Sequence, residues 1–261
     1  MSPPKAILVT GCSTGGIGAA IVATLAKRDH HVFATARNTS KIPEELTGLQ
    51  NFTVLELDVP STASVAEAAK AVASSGRGLD VLINNAGGGY AAPVLDIDIE
   101  KAQRLYDINV WGPVRTIQAF ADLLIASRAL GNISETLRLE LSPFGVSVIT
   151  IMVGAITSQF HNNDVFRLPQ GSRYAAIENI ISSWASGEAK PKGCSAEQFA
   201  ESLLEEIVGD GKGGLVWKGP HAGSIKAIVQ WLPASLGDWF MSLNQGLHEL
   251  SEKLVGKDKT S

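Results

Sequence analysis

The chain has 261 residues, 45% of them hydrophobic, and a formal net charge of -4. This length and apolar content suit one α/β domain with a sizeable core, and the small negative charge excludes nucleic acid as an expected partner. No segment reaches the about 18 apolar residues of a membrane span, and MSPPKAILVTG lacks the basic start and long apolar run of a signal peptide. We therefore expect a single cytoplasmic domain over residues 1–261.

The first part of the chain alternates short apolar runs with helical patterns. AILVT (6–10) predicts a buried strand, and it leads through GCSTGGIG into the helical pattern of AAIVATLAKR. HVFATAR (31–37), FTVLELDV (52–59) and LDVLINNAG (79–87) predict further strands. Strands that alternate with helices indicate a doubly wound parallel sheet, a Rossmann-like α/β fold.

The second part of the chain departs from this alternation. The stretch from IEKAQRLYDINVW to FADLLIAS predicts a long helix, and NISETLRLEL continues the helical period after Gly131 with no strand between them. VSVITIMVG (146–154) and GGLVWKG predict the last strands, and Ser195 and Gln198 have capping-box spacing. Residues 160–193 are long enough to form a substrate-binding loop.

Residues 224–254 form an amphipathic segment. Its apolar residues recur at helical spacing: Leu236, Trp239, Phe240, Leu243, Leu247, Leu250 and Leu254. Such a stripe packs on its own domain or on a second subunit of a homo-oligomer, or else it lies on a membrane, a lipid droplet or a lipid-like substrate. Cys12 and Cys194 are far apart, so we expect neither a disulfide framework nor a metal site.

The glycines at 11, 15, 16 and 18 lie directly between a predicted strand and a predicted helix. A dinucleotide pyrophosphate binds at such a helix N-terminus, because small residues let the backbone approach it. A tight turn without a ligand is the alternative, and the glycine cluster alone does not decide between them.

Three further motifs accompany the glycine loop: LELDV ending in Asp58, NNAG (84–87), and Asn109 within YDINVWG. Together the four motifs resemble the short-chain dehydrogenase/reductase family over nearly the whole chain. TLRLELSPFG and VWKGPHAG are most similar to the branch containing fungal NADPH-dependent 1-acyldihydroxyacetone phosphate reductases. The resemblance implies carbonyl and alcohol interconversion on a hydrophobic or lipid-like substrate.

The resemblance also implies a cofactor site. Its members would be Gly11, Ser13, Gly15, Gly16, Ile17, Gly18, Arg37, Asp58, Asn85, Ala86, Gly87, Ile156 and Ser158. The glycine motif is one residue longer than the usual TGxxxGIG, so the roles of Gly15 and Gly16 stay open. Arg37 stands where NAD-selective relatives carry an acid, and an arginine matches a ribose 2'-phosphate, so we expect NADP rather than NAD. A solvated surface charge is the alternative for Arg37.

Among catalytic residues the resemblance implies a serine, a tyrosine, a lysine four residues after it, and Asn109. The family's asparagine bends its helix and positions a water, whereas an asparagine that only caps or bridges within a helix is the alternative. The three tyrosines are followed at the fourth place by other residues: Val94 after Tyr90, Val110 after Tyr106, and Glu178 after Tyr174. The sequence therefore contains no YxxxK.

The missing residues belong between DLLIAS and ALGNISETLRLEL, where relatives have a strand, a loop and the first turns of the catalytic helix. Such a segment is roughly 20 to 30 residues long. Arg128 does not replace the lysine, because Leu124, four residues earlier, has no proton to give. Three hypotheses stay open: an NADPH-dependent reductase, a cofactor-binding pseudoenzyme, and the exon-skipped or mis-joined product of a reductase gene.

The missing strand has a geometric consequence. The chain must return across the sheet over some 25 Å, the length of a helix of about 17 residues. Three residues after the first helix, 130–132, span only about 10 Å when extended. We expect a gap or a distortion in the sheet beside LDVLINNAG.

Overall fold

A computed structural model describes residues 3–126, 130–131, 139–163, 166–209 and 213–258. The strands are β1 (Ala6–Val9), β2 (His31–Ala36), β3 (Phe52–Glu56), β4 (Val81–Ile83), β5 (Leu130–Gly131), β6 (Ile149–Val153), β7 (Ile156–Thr157), β8 (Cys194–Ser195) and β9 (Gly214–Lys218). The helices are α1 (Ile17–Ala26), α2 (Glu44–Thr47), α3 (Thr62–Ser74), α4 (Ile99–Tyr106), α5 (Gly112–Ala126), α6 (Glu178–Ala185), α7 (Ala196–Ser202), α8 (Leu204–Val208), α9 (Ala222–Trp231), α10 (Ala234–Ser242) and α11 (Leu247–Asp258).

The main sheet is parallel and has the strand order β3-β2-β1-β4-β5. Alternate residues of β1 face opposite sides, as strand geometry requires. Ile7 belongs to a core with residues of α1 and α7, whereas Leu8 belongs to a second core with residues of α3 and α5. Helices therefore cover both faces of this sheet, and the predicted doubly wound fold is confirmed.

The sheet is interrupted after β5. This strand has two residues, which pair with Val81 and Leu82 of β4, so the prediction that no strand lies between the two helical patterns is wrong. In the described residues β6 pairs with β9 in a separate two-stranded sheet and has no partner in the main one. The gap was expected directly beside β4, but β5 occupies that place, and the described strands β5 and β6 belong to different sheets. The predicted continuation of the helix through NISETLRLEL falls largely on 132–138, outside the described residues.

The second sheet is poorly covered. Met152 and Val153 of β6 are 40% and 48% exposed, and Leu215 of β9 is 49% exposed. Parallel strands are normally buried on both faces, so apolar exposure on both strands is unusual. The interruption thus leaves part of the strand surface open to solvent.

Two predicted helices are broken by local geometry. The long helix before the interruption changes to a π-helical turn over Asp107–Trp111 and then continues as α5. The predicted capping box is confirmed, since the Ser195 hydroxyl accepts from the Gln198 amide at 3.2 Å and the Gln198 side chain accepts from the Ser195 amide at 3.0 Å. The helix that it starts is divided at Leu203 into α7 and α8.

The C-terminal amphipathic segment forms three separate helices, α9 to α11. Apolar side chains on the first two are exposed, with Trp231 at 81% and Trp239 at 62%. These two side chains therefore do not pack on their own domain. Among the described helices, none has the length and apolar character that crossing a membrane requires.

We predict that His30 makes the fold sensitive to acid. The side chain is buried, its Nδ1 accepts from the Lys5 amide at 3.1 Å, and burial lowers the pKa of His30. The unfolded chain binds the proton more readily, so stability is complete above the ordinary histidine pKa of about 6.5 and falls as the pH drops below it. In His30→Asn the side chain still offers an acceptor but does not take up a proton in this pH range. The melting temperature of the variant should therefore fall less than that of the unchanged chain between about pH 7.5 and about pH 5.5. An equal fall in both proteins would contradict the role of His30.

Candidate functional site

The carboxyl ends of β1 and β4 are joined by side-chain hydrogen bonds. The Asn85 amide nitrogen Nδ2 donates to the backbone oxygens of Thr10 at 2.8 Å and Gly11 at 3.0 Å. The Thr10 hydroxyl accepts from the backbone amides of Asn85 at 3.0 Å and Ala86 at 2.9 Å. These bonds hold the NNAG loop against the start of the glycine loop. The sequence analysis missed Thr10, although a polar residue at the end of a buried strand is a signal for such a contact.

The glycine loop has no space for side chains. A Cβ on Gly11, whose φ is +73°, would lie 2.8 Å from the Cα of Ala86, and a Cβ on Gly18 would lie 2.5 Å from the Gly11 oxygen. Gly15 adopts a φ of +76°, whereas Gly16 is extended and caps α1. Gly15 thus makes the left-handed turn, and Gly16 is the N-cap of α1.

The N-terminus of α1 remains available to an anion. Gly16 offers no side-chain cap, and the first turn, from Ile17, contains no acidic residue. The first amides of a helix lack partners within the helix and carry partial positive charge, which favours phosphate. Ser13 lies beside this turn, where its carbonyl accepts from the Gly16 amide at 3.0 Å. Cys12 is buried in the same loop, and burial raises the pKa of its thiol to about 12, so it stays neutral.

Arg37 and Asp58 lie together at one end of this loop. The guanidinium of Arg37 is 76% exposed, and its Nε is 4.0 Å from Oδ1 of Asp58. This Oδ1 is buried and has no hydrogen-bond partner among the described residues, so it can accept from a ligand amino group. Lys41, which was not among the predicted site residues, lies against the glycine loop, because its carbonyl accepts from the Thr14 amide at 2.8 Å and hydroxyl at 2.9 Å.

Asn109 lies at the other end of the site from Arg37 and Asp58, where its side chain binds the backbone of Gly88. Its Oδ1 accepts from the Gly88 amide at 2.9 Å and its Nδ2 donates to the Gly88 carbonyl at 2.9 Å. The residue lies in the π-helical turn, so the helix changes geometry there, as the resemblance implied. Its side chain bridges to the loop after Gly87 rather than within its own helix. Asn84 is fixed nearby by the Thr116 hydroxyl at 2.6 Å.

The segment after β6 returns to the glycine loop. The Gln159 amide donates to the Gly15 carbonyl at 3.1 Å, which places Ser158 next to that loop. The side chain of Ile156 is buried in the core, so only its backbone is left for a ligand. Its carbonyl accepts from the Lys190 ammonium at 3.0 Å. No sequence signal pointed to Gln159 or Lys190, because both contacts depend on how distant segments meet.

A parallel sheet with a glycine loop between β1 and α1, a free helix N-terminus and an acceptor at Asp58 defines a dinucleotide-binding domain of the Rossmann type. These residues fit a dinucleotide, because the glycines let the loop pack closely on the NNAG backbone and leave the start of α1 without a side-chain cap. The sequence profile of short chain dehydrogenases matches residues 5–136. The chain belongs to the short-chain dehydrogenase/reductase family.

Similar proteins extend over most of the chain. It is 37% identical to a short-chain dehydrogenase of Penicillium ochrochloron, over 90% of this chain and 95% of the relative. It is 32% identical to an NADPH-dependent 1-acyldihydroxyacetone phosphate reductase of Schizosaccharomyces pombe, over 81% of each chain. The solved structure of a short-chain dehydrogenase from Streptomyces avermitilis covers 92% of this chain and 98% of its own, with a TM-score of 0.73 and 20% identity. This last likeness concerns the fold alone.

Proposed function

We propose that this chain is an NADPH-binding short-chain oxidoreductase in which the segment carrying the proton donor has been lost. The observation that carries the proposal is the contrast between two halves of the site. The residues around Gly11, Asn85 and Asp58 form a complete cradle, whereas no tyrosine of the sequence has a lysine four residues later. When bound, the nicotinamide would supply a hydride, and the residues of this chain hold and orient it.

The preference for NADPH rests on Arg37. Arg37 directly follows β2, and its guanidinium is exposed. The turn after β2, RNTSK, contains no acidic residue, and the Arg37 guanidinium can donate two hydrogen bonds to a 2'-phosphate. The carboxylate of Asp58 stands 4.0 Å away, too far for a hydrogen bond, so the guanidinium is free to turn toward a ligand.

We predict that Arg37→Ala weakens NADPH binding by about ten- to a hundred-fold and leaves NADH binding nearly unchanged, since one charge-assisted interaction is lost. Titration of each cofactor by its fluorescence measures both constants. Arg104→Ala is the matched control, because Arg104 is 68% exposed and lies on α4, and it should change neither constant. Equal weakening of NADPH and NADH by Arg37→Ala would show that Arg37 does not bind the phosphate.

Two observations support the loss of a segment. The alignments with two Penicillium relatives run over 261 and 259 positions although they cover 90% and 89% of this 261-residue chain, so each relative has positions with no counterpart here. The strand β5 beside β4 has only two residues, and β6 lies outside the main sheet among the described strands. Both agree with an internal loss between the codons for Ser127 and Arg128.

We predict that this chain does not reduce a carbonyl substrate and that a chain with the segment restored does. A family-like strand, serine and YxxxK helix start would be inserted after Ser127, with a tyrosine-to-phenylalanine version of the insert as the control. General acid catalysis contributes roughly 10²- to 10⁴-fold, so NADPH oxidation with 2-indanone should be seen only with the intact insert. Oxidation by the present chain at a rate comparable to the restored one would refute the proposal.

The origin of the loss distinguishes two forms of the proposal. A pseudoenzyme would be encoded without the segment, whereas an exon-skipped or mis-joined product would share its gene with a longer reductase. Sequencing of transcripts across the codons for 127 and 128 separates them. An abundant longer transcript would favour the second form, and its substrate would then be a hydrophobic carbonyl or alcohol compound.

The exposed surface of α9 and α10 supports a further part of the proposal, attachment to a membrane, a lipid droplet or a second subunit. Tryptophans at the edge of an apolar surface are typical of lipid interfaces. We predict that the chain floats with phosphatidylcholine vesicles and that the double change Trp231→Ser and Trp239→Ser abolishes flotation. Lipid attachment would be contradicted if the unchanged chain did not float, or if the variant floated as well as the unchanged chain. A concentration-dependent dimer in sedimentation would favour the subunit contact.

A further inference from the structure

A cavity of about 230 Å³ adjoins the loop that follows NNAG (84–87). It is bounded by the loop after β4, by the segment after β7 and by α6. Its lining is mostly aromatic: Tyr90, Phe160, His161, Phe166 and Trp184. An apolar cavity of about 150 Å³ holds benzene, so this one has space for a second fused ring.

Three of the rings are held in place by contacts of their own. The Tyr90 hydroxyl accepts from the Asp98 amide at 3.0 Å, and the Trp184 indole donates to the Asn244 carbonyl at 2.9 Å. Phe160 packs on the backbone of Gly89, where an added Cβ would lie 2.8 Å from the ring. Rings that are already oriented lose little freedom when a ligand binds, which favours a rigid apolar ligand.

His161 supplies a polar group to this cavity. Its Nδ1 lies 3.2 Å from the Ala185 carbonyl, and a carbonyl oxygen only accepts, so Nδ1 carries the hydrogen. In the neutral imidazole Nε2 is then an acceptor. Within the part of the chain that the structure describes, no hydrogen bond to Nε2 is formed. A ligand hydroxyl is the group that such an acceptor recognises.

We propose that the cavity binds a fused bicyclic hydrocarbon that carries a hydroxyl group, with the hydroxyl donating to Nε2 of His161. The inference rests on the proposed function, because it takes the cavity as the substrate end of the same site. Two structural links support this placement. Gly88 precedes the cavity-lining residue Gly89, and its backbone forms two hydrogen bonds with the Asn109 side chain. Gln159 precedes Phe160, and its amide donates to the Gly15 carbonyl.

The test uses two probes of similar shape, 2-indanol, which can donate a hydrogen bond, and 2-methoxyindane, which cannot. Calorimetric titration of the full chain at pH 8, above the ordinary titration range of imidazole, gives both affinities. We expect saturable binding of one 2-indanol per chain, about tenfold tighter than 2-methoxyindane because one hydrogen bond is lost. Equal affinities, or no binding of 2-indanol, would overturn the proposal.

Two variants locate the binding. His161→Phe should remove the preference for 2-indanol, and Ala185→Leu, which fills the cavity from α6, should abolish binding of both probes. A preference that survives His161→Phe, or 2-indanol binding that survives Ala185→Leu, would overturn the proposed site. NADPH titration of the same preparations reports folding and separates the two proposals. Binding of 2-indanol without NADPH would sink the cofactor proposal alone, and binding of NADPH without 2-indanol would sink this one alone.

Discussion

The hydrogen bonds from Asn85 to the backbone of Thr10 and Gly11 are the constraint on which the site depends. They tie the end of β4 to the end of β1, two neighbouring strands of the main sheet. The close contact between Gly11 and Ala86 is tolerated only because position 11 has no side chain. Without this connection the glycine loop, the N-terminus of α1 and the NNAG loop would have no fixed relation to one another.

The same constraint explains why a cofactor cradle can persist beside an interrupted sheet. The residues around Gly11, Asn85 and Asp58 follow β1, β4 and β3, which belong to one continuously paired sheet between two buried cores. The interruption begins at β5, whose two residues pair with β4 on one side only among the described strands. Strand edges and apolar side chains such as Met152 are then exposed to solvent, and these exposed groups belong to the β6–β9 sheet. The molecule therefore has a continuous nucleotide half and a second half whose strands are partly exposed.

Much of the nucleotide half could be predicted from the sequence, because its strands are short apolar runs and its turn is marked by glycines. The same is true of Asn109, whose motif carried the resemblance. The two-residue β5 and the π-helical turn were not predictable from hydrophobic period, since neither changes the apolar pattern. The contact of Gln159 with Gly15 and the cavity at His161 join segments that are far apart in the chain, and periodicity holds no information about such contacts.

Native-state amide hydrogen exchange tests the division into two unequal halves most directly. Amides in regions with few buried contacts exchange through partial opening, whereas those of the stable core require global unfolding. The account predicts slow exchange for β1, β2 and β4, with further slowing around Gly11 to Gly18 when NADPH is added, and markedly faster exchange for β6 and β9. Exchange of β6 and β9 as slow as that of β1 would contradict it.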